Sequence, residues 1–311
     1  MKVISIASGC YNEVGNIKAF YERCKAAVLK CPGYDYEFVI ADNNSTDGTR
    51  ELLREIAASD PKFKVILNSA NFGHIRSPYN ALMQASGDAV VWLCSDLQEP
   101  PETITRFIRH WEDGAKVVVG VRCGTRASMM MEMLRRLYYW ALAKSSCGSA
   151  VIPRFTGFGL YDRMAVDALK QFKDPYPYVR GMISEIGFKR ATVPFVQAKR
   201  ESGETKNNLF TLYDMAMTGF VNNTKLPLRL AVFFGFALGV LSFIAMLIVL
   251  VLKLCYWDKF HFGIAPILIV LFFFASIQLV FLGVLGEYLG AVWTHVKNKP
   301  LVIEEERLNF K

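Results

Sequence analysis

The seven cysteines, Cys10, Cys24, Cys31, Cys94, Cys123, Cys147 and Cys255, include no C-x-x-C pair and no spacing suited to zinc. A disulfide framework and a zinc module are therefore excluded as organising elements, and ordinary small core residues in a reducing compartment are expected. No recognised nucleic-acid motif accompanies the formal net charge of +8, and the basic residues are scattered. A phosphate-bearing substrate or an anionic membrane surface explains that charge more economically than a nucleic acid does.

Charge itself is missing from two stretches. Leu230 to Leu252 carries none over roughly 23 residues, and Ile264 to Gly286 is of about equal length, so each can cross a ~30 Å hydrocarbon core as a helix. Buried helices of soluble domains rarely need more than ~14 unbroken apolar residues. Glu287 bounds the second run and is expected at the membrane edge, where a carboxylate costs less than at mid-bilayer. The connector Lys253 to Gly263 carries Tyr256 and Trp257, which suit the headgroup region.

Two spans make a hairpin, with the N-terminal domain and a tail over 293–311 on the same side. Lys225, Arg229, Lys297 and Lys299 are offset by Lys253 and Lys259 in the connector, so charge does not choose that side. The chain opens strand-like at Val3-Ile4-Ser5-Ile6 with no signal-peptide apolar region. The expectation is an integral membrane protein with its N-terminal domain and tail on the cytoplasmic side.

Before residue 206, apolar strand-like runs alternate with helical patterns: Val3–Ala7, Val14–Leu29, Tyr36–Ala41, Thr49–Ser59, Lys64–Asn68, Pro78–Ser86 and Ala89–Leu93. Such alternation predicts an α/β domain with a mainly parallel sheet and helices on both faces. Ligands of such sheets bind beyond the carboxyl ends of the strands. Three of those ends are chemically unusual: Ser8-Gly9-Cys10-Tyr11-Asn12-Glu13, Asp42 to Thr49, and Cys94 to Glu102. Each alone also reads as a turn or helix start, with Ser45, Thr46 or Asp47 as a cap and Pro100-Pro101-Glu102 opening a helix. Together they offer carboxylates that can accept from a base or ribose and hold a divalent metal against a diphosphate.

These residues resemble the inverting glycosyltransferases of family 2, in the polyprenyl-phosphate group of dolichol-phosphate mannose synthases and bactoprenol glucosyltransferases. The markers are Tyr11-Asn12-Glu13, Ser45-Thr46-Asp47-Gly48-Thr49, Asn71-Phe72-Gly73-His74, Asp96-Leu97-Gln98-Glu99-Pro100-Pro101-Glu102, Val119-Gly120-Val121-Arg122, Ser202-Gly203-Glu204-Thr205-Lys206 and the two terminal spans. The resemblance implies a GT-A, Rossmann-like domain over 1–206. It further implies nucleotide-sugar contacts from Tyr11, Glu13, Asp42, Asn71 and Asp96. A divalent cation, Mg²⁺ or Mn²⁺, would lie at Asp96 and Gln98, and Asp96 and Arg122 would serve the reaction.

The sequence departs from the family at three places. Cys94 stands where a second metal-binding Asp is usual, Asn43 follows Asp42 where Asp-Asp is usual, and Thr156-Gly157-Phe158-Gly159-Leu160 lacks the Asp and Arg of that segment. No base is assignable there, and Asp162 is expected to begin the next helix. A lipid phosphate, with a second pKa near ~6, is already an anionic nucleophile and needs positioning rather than deprotonation. Candidates to hold it are Arg122, Arg126, Arg135, Arg136, Arg200 and Lys206, with Arg135 and Arg136 equally suited to a solvated helix face.

Between Asn207 and Pro227 apolar residues recur at helical spacing, which predicts interfacial amphipathic helices over 207–229. The expected activity is inverting transfer of a sugar from a UDP- or GDP-linked donor to a polyisoprenyl phosphate resembling undecaprenyl phosphate, for modification of a surface glycan. Another lipid or polysaccharide acceptor, or a non-catalytic membrane protein that binds nucleotide-sugars, are the alternatives. A homo-oligomer is compatible with each.

Overall fold

The computed structural model of the protein describes residues 1–123, 133, 152, 154–172, 174–198, 221, 224–256, 264–297 and 299–310. The described strands are β1 Lys2–Cys10, β2 Tyr34–Asp42, β3 Phe63–Asn68, β4 Ala89–Trp92, β5 Val117–Cys123, β6 Phe155–Asp162, β7 Arg190–Val196 and β8 Glu304–Leu308. The described helices are α1 Val14–Leu29, α2 Thr49–Ser59, α3 Gly73–Gln84, α4 Ile104–Glu112, α5 Arg163–Lys170, α6 Val179–Glu185, α7 Leu226–Cys255 and α8 Ile264–Lys297.

The strands form one sheet in the order β7-β5-β6-β4-β1-β2-β3-β8. β1 pairs in parallel with both β2 and β4, and β2 with β3, which makes the Rossmann-like half that the alternating pattern predicts. β6 enters antiparallel between β4 and β5, and β8 is antiparallel to β3, so the sheet is mixed. Successive side chains of a strand face opposite ways, and both faces are covered. Ile4, Ile6, Phe38, Ile40, Val65 and Val91 pack under α1, α2 and α4, while Ala7, Val39, Ala41, Ile66 and Val90 pack under α3, α5 and α6. Continuous apolar runs such as Phe38 to Ala41 follow from this two-sided burial.

Two expectations from the sequence need correction. The third helix starts at Gly73, with Pro78 inside it, rather than at Pro78. Gly73 adopts φ +87°, a left-handed conformation that lets the chain turn into the helix early. The cysteines are not uniformly core residues: Cys10 and Cys24 are buried, Cys31 is half-buried, and Cys94, Cys123 and Cys255 are exposed.

The sequence pattern also missed β8, which turns part of the 293–311 tail into an edge strand of the sheet. Its residues Glu304-Glu305-Glu306-Arg307-Leu308 show no apolar alternation. Charge holds it in place: Arg50 Nη2 meets Glu305 Oε2 at 2.7 Å, and Arg54 Nη2 meets Glu306 Oε2 at 2.8 Å. Beyond it, the Asn309 amide donates to the carbonyls of Ala57, Asp60 and Phe63 at 2.7, 3.2 and 2.9 Å.

α7 and α8 have 30 and 34 residues, about 45 and about 51 Å at 1.5 Å per residue. By length and composition both can cross a membrane, and none of their most apolar stretch is covered by the rest of the chain. α8 runs on past Glu287 to Lys297. The Tyr288 hydroxyl donates to the Thr224 carbonyl at 2.6 Å, and His295 lies 3.9 Å from Asp174 of the sheet domain. The tail therefore returns from α8 to the domain from which α7 departs.

Candidate active site at the carboxyl edge of the sheet

β1, β2, β3 and β4 all end on one edge of the sheet, and their loops bring together the residues singled out in the sequence: Tyr11 and Glu13, Asp42, Asn71, and Asp96 with Gln98. β5 runs parallel to β7 and antiparallel to β6, which itself opposes β4, so Arg122 reaches the same edge. Arg126, Arg135, Arg136, Arg200 and Lys206, and the expected interfacial helices up to residue 220, lie outside the described residues.

Side chains of the first two loops knit them together. The Asn12 amide donates to Ser45 Oγ at 2.9 Å, the Glu13 amide to Thr49 Oγ1 at 3.0 Å, the Val14 amide to Asp47 Oδ2 at 3.2 Å, and the Thr46 amide to Asn12 Oδ1 at 2.9 Å. Gly48, at φ +95°, is the N-cap residue of α2, and Asp47 accepts from the Thr49 amide at 3.1 Å. Glu13 is buried and accepts from Asn16 Nδ2 at 2.5 Å.

Asp42 is fully buried. Its carboxylate accepts from Ser45 Oγ at 2.5 Å and the Ser45 amide at 3.1 Å, with the Cys10 thiol at 3.7 Å and Arg50 Nε at 3.6 Å. Burial, followed by the Asp42 charge, pushes the Cys10 thiol well up, so it stays a neutral donor. Asn43 reaches the third loop: its side chain accepts from the Phe72 amide at 3.2 Å and donates to the Gly73 carbonyl at 3.0 Å. Asn71 is exposed there and accepts from the Gly73 amide at 2.9 Å.

The loop after β4 turns through Leu97, a buried non-glycine residue at φ +59°. Such a conformation is costly and is held by its surroundings. Here Asp96 Oδ1 accepts from the Gln98 amide at 3.2 Å, and Gln98 accepts on its side chain from Gln197 Nε2 at 2.5 Å and on its carbonyl from the Ala198 amide at 3.0 Å. Ser95 Oγ ties the loop to the Gly9 carbonyl at 3.1 Å.

Sequence reasoning included Glu99 in a motif without giving it a role, and passed over Arg180. Glu99 is buried and accepts from the Cys94 amide at 2.9 Å and from Thr156 Oγ1 at 2.8 Å. Burial pushes its carboxyl up to about 7. Arg180, half-buried on α6, places its positive charge near Cys94, Glu99 and His74. No motif flags it, because a lone Arg on a short helix resembles any surface Arg; only the tertiary fold aims it at the loop after β4.

A divalent cation fits this donor set only as a shared ion. Among the described residues no group of three or more His, Cys, Asp and Glu side chains is arranged to hold a metal. The Glu99 charge raises the Cys94 thiol well above its ordinary value, and since Cys94 is exposed we assign that rise to charge rather than burial. A neutral thiol is a poor partner for a hard ion. Asp96 with the oxygens of a diphosphate and water suits Mg²⁺, which commonly takes one or two carboxylates beside substrate phosphates.

The missing Asp and Arg of the Thr156 to Leu160 segment have a packing counterpart. Gly157 sits at φ +109°, and a Cβ there would lie 2.8 Å from the Trp92 ring; one on Gly159 would lie 2.4 Å from the Val118 carbonyl oxygen. Neither position has room for a functional side chain. Asp162 is at the opposite edge, paired in register with Ala89 at the start of β4. It caps α5 by accepting from the Met164 amide at 3.0 Å and also accepts from Trp111 Nε1 at 2.7 Å. The expected helix-starting role is the observed one.

The sequence of the chain is similar to those of known glycosyltransferases. The model of the family described as "Glycosyl transferase family 2" matches residues 5–169. An uncharacterized glycosyltransferase, YkcC, of Bacillus subtilis is 35% identical over 303 residues, 97% of this chain and 93% of that one. The SfII prophage-derived bactoprenol glucosyl transferase of Shigella flexneri is 28% identical over 300 residues, 96% of each chain. Among solved structures, the mannosyltransferase PcManGT of Pyrobaculum calidifontis, in complex with GDP-Man and Mn²⁺, aligns at 17% identity with a TM-score of 0.44, over 96% of this chain and 86% of that one. With the family model spanning the strand ends that carry Glu13, Asp42 and Asp96, and the Bacillus relative matched almost end to end, the protein belongs to glycosyl transferase family 2.

Proposed function

We propose that the protein transfers a sugar, with inversion, from a UDP- or GDP-linked donor to a polyisoprenyl phosphate at the cytoplasmic face of a membrane. The observation that carries this reading is one chain uniting a diphosphate-ready sheet edge, with Asp96 and Arg122 on it, and two membrane-length helices whose tail returns to the same sheet. The relatives named bactoprenol glucosyl transferase, matched over 96% of this chain, support the lipid-phosphate acceptor.

In this reading Tyr11, Glu13, Asp42 and Asn71 receive the nucleoside and sugar, and Asp96 with Gln98 faces the diphosphate. When bound, Mg²⁺ or Mn²⁺ would neutralise charge on that diphosphate. An oxygen of the acceptor phosphate attacks the anomeric carbon, the bond from that carbon to the diphosphate oxygen breaks, and the nucleoside diphosphate leaves with the electron pair. Inversion follows from attack on the face opposite the leaving group. No proton has to be removed, because the phosphate is already an anion near neutral pH. That fits a site in which Gly157 stands where the family carries Asp.

Arg122 and Arg180 supply cationic groups for the two phosphates. A groove along the start of α7, lined by Lys225, Leu228, Arg229, Val232, Phe233 and Phe236, has basic groups at one end and apolar ones beyond. That order matches a phosphate at the interface followed by an isoprenoid tail in the bilayer.

The test uses the purified full chain in detergent with undecaprenyl phosphate and a panel of radiolabelled UDP- and GDP-sugars. Label in the organic phase with one donor supports the reading. No labelled lipid with any donor, despite bound nucleotide, overturns it.

A further inference from the structure

Arg50 links two parts of the molecule that are far apart in sequence. It projects from the first turn of α2, with its side chain only 15% exposed. One end of its guanidinium meets Glu305 of β8 at 2.7 Å, another nitrogen meets Asn44 Oδ1 at 3.2 Å, and Nε lies 3.6 Å from Asp42 Oδ2. The last distance is a charge contact rather than a hydrogen bond. Among the described residues, Glu305 therefore gives this cation its shortest contact and the one from an opposite charge within hydrogen-bond distance.

Asp42 needs that cation. A carboxylate with no exposure is costly unless opposite charge and hydrogen bonds compensate it, and Ser45 with a neutral Cys10 thiol supplies only the hydrogen bonds. An Arg side chain freed from Glu305 has several rotatable bonds and solvent beside it. The segment from Asp42 to Thr49, joined by four hydrogen bonds to Asn12, Glu13 and Val14, would then relax around an under-compensated charge.

We propose that Glu305, on the strand that follows the second membrane-length helix, is a positioning residue for the donor site, holding Arg50 against Asp42 and so ordering the loop that receives the nucleoside. The role presupposes that Asp42 lies in the donor site, as proposed above. It makes the returning tail part of donor recognition, and it ties that recognition to the membrane hairpin.

β8 contains its own control. Glu306 pairs with Arg54 at 2.8 Å, one helical turn along α2 from Arg50, but Arg54 is 43% exposed and the carboxylates acting on it are Glu306, Glu51 and Glu305. Glu305→Gln and Glu306→Gln each remove one strand-to-helix ion pair, and only the first touches the Asp42 contact.

The experiment measures binding of UDP and GDP to the full chain in detergent by calorimetry, with thermal midpoints alongside. For the nucleotide that binds wild type, Glu305→Gln should weaken affinity about three- to tenfold, the range expected for residues that couple to a site without touching the ligand. Glu306→Gln should leave affinity unchanged at a similar thermal midpoint. Arg50→Lys should reproduce the loss, and adding Glu305→Gln to it should cost nothing more. Equal effects from Glu305→Gln and Glu306→Gln, or none from Glu305→Gln while Asp42→Asn abolishes binding, would overturn the role of Glu305 alone. Undiminished binding by Asp42→Asn would overturn the donor-site reading and the role of Glu305 with it.

Discussion

The hydroxyl of Thr156, at the start of β6, donates to the Glu99 carboxylate at 2.8 Å, while the other Glu99 oxygen accepts from the Cys94 amide. One buried acid thus clamps the loop that presents Asp96 to the strand that crosses antiparallel beside it. Glu99→Gln preserves shape but puts an amide NH2 donor on one of the two accepting positions. Turnover should fall about tenfold or more, since a 1 Å displacement of a positioned group can cost ~100-fold, with little change in nucleotide affinity. Steady-state kinetics separate the two; an unchanged kcat would remove Glu99 from the positioning of Asp96.

Asp96→Ala should abolish transfer while the thermal midpoint stays near that of wild type, because Asp96 is half-buried in a loop rather than part of the core. Chelation with EDTA should likewise stop turnover, and millimolar Mg²⁺ or Mn²⁺ should restore it. With one carboxylate and a neutral thiol in place of two carboxylates, the dependence on metal concentration should extend to higher values than a two-carboxylate site needs. Full activity in EDTA would contradict the shared-ion site.

How much of this could be read from sequence differs between the two halves of the sheet. β1 through β4 are buried on both faces, so their apolar runs and the polar strings at their ends are visible without coordinates. β8 is not, because its Glu304-Glu305-Glu306 run looks like a solvated tail until Arg50 and Arg54 are seen beneath it. Arg180 and the role of Glu99 were missed for a related reason: their significance lies in what α6 and β6 bring near the loop after β4, which is contact across tens of residues. The Thr156 to Leu160 segment shows the converse, where the missing residues were plain in the sequence and the Trp92 ring and Val118 carbonyl, which fill their space, were not.

Arg180→Ala should lower kcat/KM about 100-fold, roughly the loss of one strong charge-assisted contact to a phosphate in a site that excludes water. Arg180→Lys should recover only part, since an ammonium lacks the planar fork of guanidinium. A kcat/KM within twofold of wild type for Arg180→Ala would show that its charge serves packing near Glu99 rather than substrate.

Replacing both Lys225 and Arg229 with Gln should raise the KM for undecaprenyl phosphate roughly 30-fold and leave the KM for the nucleotide-sugar in place, given about 1 kcal/mol for each of two basic groups near an anionic headgroup. Equal shifts in both constants would instead indicate a disturbed fold at the start of α7.

Acid should destabilise the catalytic domain through Glu37. Burial alone would raise this carboxyl, but hydrogen bonds from Lys64, Ser5 and Ser86 outweigh it and hold it below its ordinary value. A carboxyl depressed in the folded state adds stability above its unfolded pKa of about 4.3, and that stability is lost as pH falls through the lower folded value. Glu37→Gln should therefore lower the thermal midpoint clearly at pH 7, with the gap to wild type narrowing below about pH 4. A gap that stays constant from pH 7 to pH 3 would rule out the ionised Glu37 cluster as its source.

The most direct measurement is phosphorus and proton magnetic resonance of the lipid product formed by the full chain from undecaprenyl phosphate and an α-linked nucleotide-sugar. Conversion of the phosphomonoester resonance to a phosphodiester, with a β-configured anomeric proton on the attached sugar, is the expected result. An unconverted phosphomonoester, or an α-configured product, would contradict inverting transfer to the lipid phosphate.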